Sequence, residues 1–243
     1  MSNLSKKNFL VLGGTSGIGL DVTQKLSKLS KVCVIGRDKT NLEKLPKNNI
    51  SFLKHDVKSL DGLVKELSNN IDDSKFDGVF ISVGIEQFKS LNLIKDKDLN
   101  TNFLPPILSL LAVLKLSSSG KLLNKNSSIV IMSSVSSVKG HTGMSIYGSS
   151  RAAIESIVKH ASVELAGKSL RINAIRAGAF KTKMHERIIN KMNKDQINDY
   201  KEKHPLGFGE IDDVSELVLY LLSKKSKWIT GSILTIDGGY SAK

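Results

Sequence analysis

The sequence predicts an α/β protein in which a doubly wound parallel sheet is covered by helices on both faces. Short apolar segments of strand length alternate with amphipathic segments along the whole chain. The strand-like segments are apolar on both faces, which is typical of a parallel sheet buried between two layers of helices. The chain has 243 residues, enough for one large core and few for two. We therefore expect residues 1–243 to form a single domain.

The first half of the chain contains four predicted strands. They are NFLVLGG, KVCVIG, ISFLKHDV and FDGVFISVG, and the helix-like segments between them are DVTQKLSKLS, TNLEKL and SLDGLVKELSNN. An alternation of this kind favours parallel strands, because each helical crossover returns the chain to the same edge of the sheet.

The second half continues the alternation with three strands, SSIVIMSS, RINAIRAG and SILTIDGG. The predicted helices are FLPPILSLLAVLKLSSS, YGSSRAAIESIVKHASVELAG and DVSELVLYLLSKK. Pro105 and Pro106 fit only in the first turn of a helix, so their helix is expected to begin near Thr101 to Leu104. Residues 181–209 are rich in charge and end in Pro-Leu-Gly-Phe-Gly. We interpret them as a mobile substrate lid.

The chain is basic, with 36 Lys and Arg against 23 Asp and Glu and a formal net charge of +13. Its lysines are spread out, and the sequence has no arginine-rich tract interleaved with aromatic residues. This favours a solvated basic surface over a nucleic-acid groove. No segment reaches the eighteen or so apolar residues that span a bilayer, and the N-terminal FLVLGG is too short for a signal peptide. We expect a soluble, cytoplasmic protein that binds neither nucleic acid nor membrane.

The single Cys33 excludes an internal disulfide. It lies in the predicted strand KVCVIG, where an apolar core residue is a better explanation than a nucleophile or a metal ligand. A single cysteine without a disulfide partner fits a reducing, cytosolic compartment. The five histidines show no ligand spacing, so the sequence predicts no metal site.

A glycine-rich turn, GGTSGIG, follows the first predicted strand and begins the first predicted helix. Glycine permits backbone angles that a Cβ forbids. It also lets a pyrophosphate approach the main-chain N–H groups at the positive end of the helix. In this position the turn predicts a dinucleotide site, which a lone glycine-rich sequence would indicate only weakly. Its candidate residues are Gly13, Thr15, Ser16, Gly17, Ile18 and Gly19.

The end of the second strand predicts which dinucleotide binds. An acidic residue there hydrogen-bonds the ribose of NAD, whereas this chain has Gly36 and Arg37. A guanidinium favours the 2′-phosphate of NADP through charge-assisted contacts, so we expect NADP over NAD. The alternative is that Arg37 faces solvent at the start of a loop. Four further candidates follow the third and fourth strands: Asp56 and Val57 at the adenine edge, and Ser82 and Gly84 beneath the cofactor.

Four polar residues are expected to meet at the carboxyl end of the sheet. In a doubly wound fold the strand ends open into one crevice, where Ser134, Asn102 and the first turn of the Tyr147 helix would converge. Tyr147 and Arg151 are four residues apart on that helix and share one face. Each residue also has an ordinary explanation: Ser134 as a turn residue, Asn102 as a cap and Tyr147 as a helix-start aromatic. Together with the glycine turn, coincidence becomes the weaker explanation.

The chain resembles the short-chain dehydrogenase/reductase family over essentially its whole length. The matching pieces are GGTSGIG, HDV at 55–57, Asn102, the spacing of Ser134 and Tyr147, RINAIRAGAFKT at 171–182 and WITGSILTIDGGYSA at 228–242. The resemblance implies a Rossmann-like fold and an NAD(P)-dependent oxidoreductase. It also implies residue roles: Tyr147 as general acid/base, Ser134 holding the carbonyl or hydroxyl, Asn102 positioning a water relay and Thr182 touching the nicotinamide carboxamide. The chemistry agrees, because a phenol titrates near pH 10 in water and a neighbouring cation stabilises its phenolate.

Arg151 stands where the family usually has lysine. Arginine keeps the positive charge and can hydrogen-bond ribose hydroxyls, but with a pKa above about 12 it is a poor member of a proton relay. We therefore expect proton transfer to suffer more than cofactor binding. Other departures lie at the same end of the sheet: Leu12 for threonine, Ile81-Ser82-Val83-Gly84 for Asn-Asn-Ala-Gly, and Ala177-Gly178 for Pro-Gly.

Three functions stay open from the sequence. The first is an NADP-dependent reductase or dehydrogenase acting on a carbonyl/hydroxyl pair. The second is a cofactor-binding sensor or scaffold with little turnover, for which Arg151 is the main indication. The third is a related isomerase or dehydratase that uses the bound cofactor.

The partners predicted from the sequence are a small carbonyl or alcohol substrate and further copies of the chain. The mild positive excess of residues 181–209 would attract an anionic substrate or an acidic carrier protein, and a solvated lid explains it equally well. The helices FLPPILSLLAVL and AAIESIVKHASVELA are too apolar for one buried stripe each. Together with the family resemblance, this predicts a homodimer or homotetramer.

Overall fold

A computed structural model describes residues 4–45, 47–70, 75–190 and 192–242. In this part of the chain the strands are β1 (Asn8–Leu12), β2 (Lys31–Gly36), β3 (Ile50–Lys54), β4 (Phe76–Ile81), β5 (Leu123–Ser134), β6 (Arg171–Ala177) and β7 (Ile233–Ile236). They form one sheet in the order β3-β2-β1-β4-β5-β6-β7, and every pair is parallel. The direction of winding reverses between β1 and β4. Ligands of doubly wound sheets bind at the carboxyl ends of the strands around such a switch point.

Helices cover both faces of the sheet. They are α1 (Gly17–Ser27), α2 (Leu60–Asn70), the single turn α3 (Asp96–Asp98), α4 (Leu104–Ser118), α5 (Ser145–Ala166), α6 (Lys183–Ile189), α7 (Lys194–Glu202) and α8 (Ile211–Leu222). Helices α2, α4 and α5 pack on one face, and α1 and α8 pack on the other. The predicted doubly wound α/β fold is confirmed.

Strand β1 shows why the predicted strands are apolar throughout. Successive side chains of a strand point to opposite faces. Leu10 and Leu12 enter the core beneath α2, α4 and α5, whereas Phe9 and Val11 enter the core beneath α1 and α8. All four side chains are at most 1% exposed. Each such burial stabilises the fold by roughly 1.5–3 kcal/mol before conformational entropy is subtracted.

The start of α4 agrees with the proline prediction. Pro105 and Pro106 lie in its first turn, where a missing N–H costs no intrahelical hydrogen bond. A π-helical turn, Leu99–Phe103, joins α3 to α4 and contains Asn102. Turns of this kind occur often at functional sites.

The expectation that no segment could span a bilayer needs one correction, because the helical segment Asp96–Ser118 is long and apolar enough, by length and composition, to cross a membrane. It is the one such segment in the described ranges. Leu110, Val113 and Leu116 in this segment are buried against the sheet and the neighbouring helices. The apolar character therefore belongs to a core helix of the domain.

The helix predicted for TNLEKL is wrong. The connection from β2 to β3 contains a 3-10 turn at Leu42–Lys44 instead. Pro46 follows two residues later in the sequence; it lacks the N–H that a continuing helix needs, and it disfavours helical angles in the residue before it. Leu42 nevertheless packs into the core beneath α1.

The predicted lid, residues 181–209, contains helices α6 and α7 between β6 and α8. Its two ends are joined, because Lys181 N donates to Gly209 O, and Leu206 N donates to Gly238 O just after β7. Lys191 lies outside the described residues. The helical character of this segment is confirmed, and its mobility stays a prediction.

Candidate active site

The glycine turn after β1 is built by close backbone approaches. Gly13 has φ +81°, and a Cβ there would lie 2.7 Å from Ser82 O. A Cβ on Gly19 would lie 2.2 Å from Gly13 O. Ser16 is the N-cap of α1, and its side chain makes no capping hydrogen bond. The first N–H groups of α1 are therefore left for a ligand, which is how helix ends bind phosphate.

The residues predicted for the adenosine end lie beside this turn, outside the central cavity. Thr15 contacts Gly36, where a Cβ would meet Thr15 Cγ2 at 2.6 Å. Arg37 follows β2, is exposed, and makes no ion pair with any described residue. Asp56 is exposed with Lys58 Nζ at 3.8 Å, whereas Val57 is buried in the core. Both Arg37 and Asp56 thus follow the carboxyl ends of neighbouring strands.

A cavity of about 280 Å³ opens at the carboxyl ends of β4, β5 and β6. It brings together seven of the residues predicted from the sequence: Ile18, Ser82, Gly84, Ser134, Tyr147, Arg151 and Thr182. Asn102 is buried outside this lining, where its Nδ2 donates to Gln87 Oε1 and, at 3.0 Å, to Thr101 Oγ1. These seven predicted residues therefore share one cavity, Asn102 is not part of its lining, and the roles of all eight stay predictions.

Tyr147 and Arg151 form the centre of the cavity. The guanidinium carbon lies 4.7 Å from the centroid of the Tyr147 ring, within the range of a cation–π contact. Arg151 is only 5% exposed, and its Nη1 donates to Met132 O at 3.3 Å and to Val83 O at 3.4 Å. The cation is thus held under the phenol by the ends of β4 and β5.

Gly84 is what permits this arrangement. It has φ +141°, and a Cβ at this position would lie 2.0 Å from Arg151 Nη2. Any larger residue would displace the guanidinium from beneath the ring. Arg151 Nε is buried without a partner among the described residues. A buried guanidinium donor without a partner is costly, and it is suited to a ligand hydroxyl.

Ser134 is held at the end of β5 by a network that the sequence did not reveal. Glu155, one turn beyond Arg151 on α5, accepts hydrogen bonds from Ser133 Oγ at 2.7 Å and Ser137 Oγ at 2.6 Å. Arg176 of β6 binds the same carboxylate in a bidentate manner, at 3.0 and 2.6 Å. Ser137 Oγ also lies 2.7 Å from Ser134 O. The turn that carries Ser134 is therefore tied to α5 and β6.

Glu155 remains a carboxylate in this network. Burial acts to raise its pKa, but the hydrogen bonds from Arg176, Ser137 and Ser133 outweigh burial and hold the pKa below its usual value. Charge-assisted hydrogen bonds to a carboxylate favour its ionised form.

Histidine and tyrosine rings line the other side of the cavity. The members of this aromatic cluster are His141, His185, Tyr200, His204, Phe208 and Tyr240. His204 stacks on Tyr240 with centroids 4.5 Å apart, and Tyr200 contacts His204 edge-on at 5.0 Å. Burial raises the pKa of Tyr200 and lowers the pKa of His185. No cluster of possible metal ligands occurs in the ranges the structure covers.

Glu86 adds a carboxyl group to the same cavity. Burial raises its pKa to about 7, although the charge of Arg151 acts in the opposite direction. No sequence motif contains this residue. Its one sequence signal is its place two positions after Gly84, in a segment that departs from the family pattern.

The described residues fit a dinucleotide. Gly13 and Gly19 let the backbone of the turn pack tightly, a Cβ on Gly17 would meet nothing within 4 Å, and the first N–H groups of α1 have no side-chain cap. The buried, unpartnered Arg151 Nε supplies a donor near the chemical end. Together, these features define a dinucleotide-binding protein of the doubly wound α/β class, with a serine and a tyrosine in a cavity at the carboxyl edge of the sheet.

Comparison with known proteins gives the family. Residues 13–241 match the family described as Enoyl-(Acyl carrier protein) reductase. The chain belongs to the short-chain dehydrogenase/reductase family, as the sequence resemblance predicted.

Three relatives illustrate the similarity. The 3-oxoacyl-(acyl-carrier-protein) reductase FabG of Thermotoga maritima is 26% identical over 252 residues, covering 97% of this chain and 98% of the relative. A short chain dehydrogenase family protein from Francisella tularensis superimposes with a TM-score of 0.88 at 27% identity, covering 98% of this chain and 100% of the other. The structure described as ElxO with NADP bound has a TM-score of 0.83 at 28% identity, with the same coverages.

Proposed function

We propose that this chain is an NADPH-dependent reductase that converts a carbonyl group to a hydroxyl group. The observation that carries the proposal is the buried guanidinium of Arg151 beneath the Tyr147 ring, inside the cavity that also contains Ser134. A fixed cation at this position favours the negative charge that develops on the phenol oxygen when its proton leaves.

The predicted site residues have different roles in this reduction. Tyr147 donates its phenolic proton to the carbonyl oxygen, and Ser134 holds that oxygen through its hydroxyl. The dinucleotide supplies the hydride when it is bound, and the protein supplies placement and the proton. Thr182, which lines the cavity, contacts the carboxamide of the nicotinamide. Asn102, which is buried outside the lining, has the role of positioning a water relay. Gly13 and Gly19 shape the turn by close backbone packing, and Gly17, where a Cβ would meet nothing within 4 Å, leaves the pyrophosphate its approach to α1.

NADP is the preferred cofactor in this proposal. Arg37 is exposed at the end of β2 and free of ion pairs with the described residues, so its guanidinium is available for a 2′-phosphate. Asp56 and Val57 lie at the adenine edge, and Ser82 and Gly84 pass beneath the nicotinamide side. The similar structure of ElxO is described with NADP bound.

The substrate is a carbonyl compound with an anionic or carrier-linked part. Lys203, from the end of the predicted lid, lines the cavity and adds a positive charge at its mouth. The FabG relative is named for an acyl-carrier-protein substrate. The alternative is a small free ketone with the lid charge left in solvent.

A homodimer or homotetramer in the cytosol completes the proposal. A second apolar cavity lies between α2, α4 and α5 and is lined by Leu60, Leu111, Leu114 and Ile157. Val163 on α5 is 80% exposed, and Trp228 before β7 is 97% exposed. An apolar groove and large exposed apolar side chains are each typical of protein–protein contact. The single cysteine fits a reducing compartment.

The proposal is tested by the loss of NADPH absorbance with a panel of carbonyl substrates, including acyl-carrier-linked 3-oxoacyl groups and small ketones. Turnover with at least one member, faster with NADPH than with NADH, is the expected result. Tight NADPH binding without turnover across the panel would instead support a sensor or scaffold, the function that arginine at position 151 would favour.

A further inference from the structure

Arg151 leaves Tyr147 without a proton source on its own helix. Each reduction removes the phenolic proton of Tyr147, so the phenolate needs a new proton before the next turnover. A guanidinium keeps its proton throughout the physiological pH range. Arg151 therefore stabilises the phenolate, and another group has to supply the proton.

Glu86 is placed to supply it. It lines the cavity that contains Tyr147 and Arg151, and it follows Gly84, whose missing Cβ makes room for the guanidinium. The Glu86 side chain is partly buried and forms no hydrogen bond or ion pair with any residue that the structure describes. Partial burial leaves its carboxyl group free both to hold a proton and to exchange it with solvent.

Charged and titratable groups surround Glu86 on every side of the cavity. Arg151 of α5 and Tyr200 of α7 both interact electrostatically with it. The remaining groups in the lining are Tyr147 of α5, His141 after β5, His185 of α6, Lys203 and His204 after α7, and Tyr240 near the C-terminus. Because burial raises the pKa of Glu86 to about 7, the carboxyl group is part protonated and part ionised near neutral pH.

The histidines are weaker candidates for this role. His141 Nε2 pairs with the Tyr240 hydroxyl at 2.6 Å, and His204 Nδ1 pairs with Tyr200 O at 2.8 Å. His185 Nε2 is buried without a partner among the described residues, which makes this ring the competing candidate. Burial lowers the pKa of His185, so its ring is neutral near pH 7 and has no acidic proton to give.

We propose that Glu86 returns the proton to Tyr147 through a bridging water, in place of the relay that a lysine at position 151 would serve. This inference rests on the proposed reductase function. In the reduction, the carbonyl carbon gains the hydride of the reduced nicotinamide and the carbonyl oxygen gains the phenolic proton. The phenolate then takes a proton from the water while the water takes one from the Glu86 carboxyl group. Glu86 is left as a carboxylate near Arg151 and regains its proton from solvent.

The first test is Glu86→Gln in the full chain, which keeps the shape of the side chain and removes its acidic proton. We expect kcat to fall about tenfold or more, with KM and NADPH affinity nearly unchanged. The wild type should lose kcat as the pH rises through about 7, and the variant should lack this inflection. His185→Gln, whatever it does to substrate binding, should keep the inflection. The reverse pattern in the two variants would assign the relay to His185 and overturn the proposal.

The second test restores the lysine. In the Glu86→Gln background, Arg151→Lys should recover most of the lost kcat, because a lysine ammonium can take part in the relay. A purely structural role of Glu86 predicts no such rescue. If Glu86→Gln lowers kcat equally with arginine and with lysine at position 151, the relay is wrong.

A third measurement needs no cofactor. Difference infrared spectra of the free protein, titrated through neutral pH, should show a protonated carboxyl band that disappears on ionisation and is missing in Glu86→Gln. A wild type that reduces no carbonyl would overturn both the function and the relay. An active wild type whose Glu86→Gln variant matches it at every pH would overturn the relay alone.

Discussion

The two ends of the crevice hold their functional groups in opposite ways. At the proposed nucleotide end, the main features are backbone ones, namely a tightly packed glycine turn and helix amides without a side-chain cap, and the charged side chains Arg37 and Asp56 are exposed. At the chemical end, the site is side chains, and they are buried: Arg151 under Tyr147, and Glu155 paired with Arg176. In the proposed function, cofactor binding therefore depends on backbone geometry set within a few residues. The chemical step depends on side chains that are brought together from distant parts of the chain.

This difference has an energetic consequence. An exposed cation costs little to keep and contributes only when its ligand arrives. A buried charge has to be paired or hydrogen-bonded all the time, because desolvation is expensive. Substitutions at the nucleotide end should therefore change affinity and leave the fold intact, whereas substitutions at the chemical end should affect both turnover and stability.

The largest effect is expected from Tyr147→Phe. The phenylalanine ring keeps its place over the Arg151 guanidinium, so the variant removes the hydroxyl and preserves the packing. We expect kcat to fall by about 10²–10⁴-fold, the usual contribution of a positioned general acid. NADPH oxidation in the presence of substrate measures the loss, and NADPH affinity should stay within about twofold.

The matched control is Tyr220→Phe on α8, where the tyrosine is 40% exposed and remote from the cavity. It should reduce substrate like the wild type. Persistent turnover in Tyr147→Phe would show that another group donates the proton. The buried side chains around Tyr147 would then not be the chemical end of the crevice.

The glycine turn of the proposed nucleotide end could be predicted because its geometry is set by residues that are close together in the sequence. The spacing of Gly13, Gly17 and Gly19 after a strand and before a helix sets the backbone geometry within a few residues. The alternation of apolar and amphipathic segments, which predicted the parallel sheet, also depends only on neighbouring residues. The helix predicted for TNLEKL is a 3-10 turn at Leu42–Lys44 because its apolar periodicity is helical but Pro46, two residues further on, disfavours a longer helix.

The sequence predicted the chemical end only in part. Residue type and spacing predicted that Ser134, Tyr147 and Arg151 lie together, and all three line the cavity; their catalytic roles stay predictions. Glu86 and the pair of Glu155 with Arg176 were missed, because their partners lie far apart in the chain and no short motif contains them. Spacing did offer one signal: Tyr147, Arg151 and Glu155 follow one another at intervals of four on a single helix face.

Glu155→Gln should have the next largest effect. It leaves the Arg176 guanidinium without its anion in a partly buried site, and breaking such a pair costs about 3 kcal/mol. Because the pKa of Glu155 is held below 4.5, the stabilisation is present above about pH 4.5 and is lost as the pH falls through the folded-state pKa. Urea unfolding at neutral and acid pH measures this stabilisation, and the free energies of unfolding of wild type and variant should become equal in acid. An equal difference at every pH would show that packing, and not charge, is lost.

Arg37→Ala tests the nucleotide end, with an effect on binding alone. Loss of a charge-assisted contact to the 2′-phosphate should weaken NADPH binding by about 10- to 100-fold and leave NADH binding nearly unchanged. Lys39→Ala, which removes a neighbouring exposed cation, is the matched control and should change both affinities little. Equal weakening of the two cofactors by Arg37→Ala would mean that this residue does not recognise the phosphate.

The smallest effect is expected from Glu86→Gln on stability, and its sign is opposite to that of Glu155→Gln. The folded-state pKa of Glu86 is raised from 4.5 to about 7, so its contribution to stability is full below pH 4.5 and declines as the pH rises through 7. Glutamine is neutral at every pH and avoids the cost of burying the carboxylate. The variant should match the wild type in acid and be more stable by about 1–3 kcal/mol above pH 7. Urea unfolding across this range measures the crossover, with the exposed Glu164→Gln as control. A variant less stable than the wild type above pH 7 would mean that the carboxylate of Glu86 is stabilised in the cavity, and that the chemical end contains no unpaired acid.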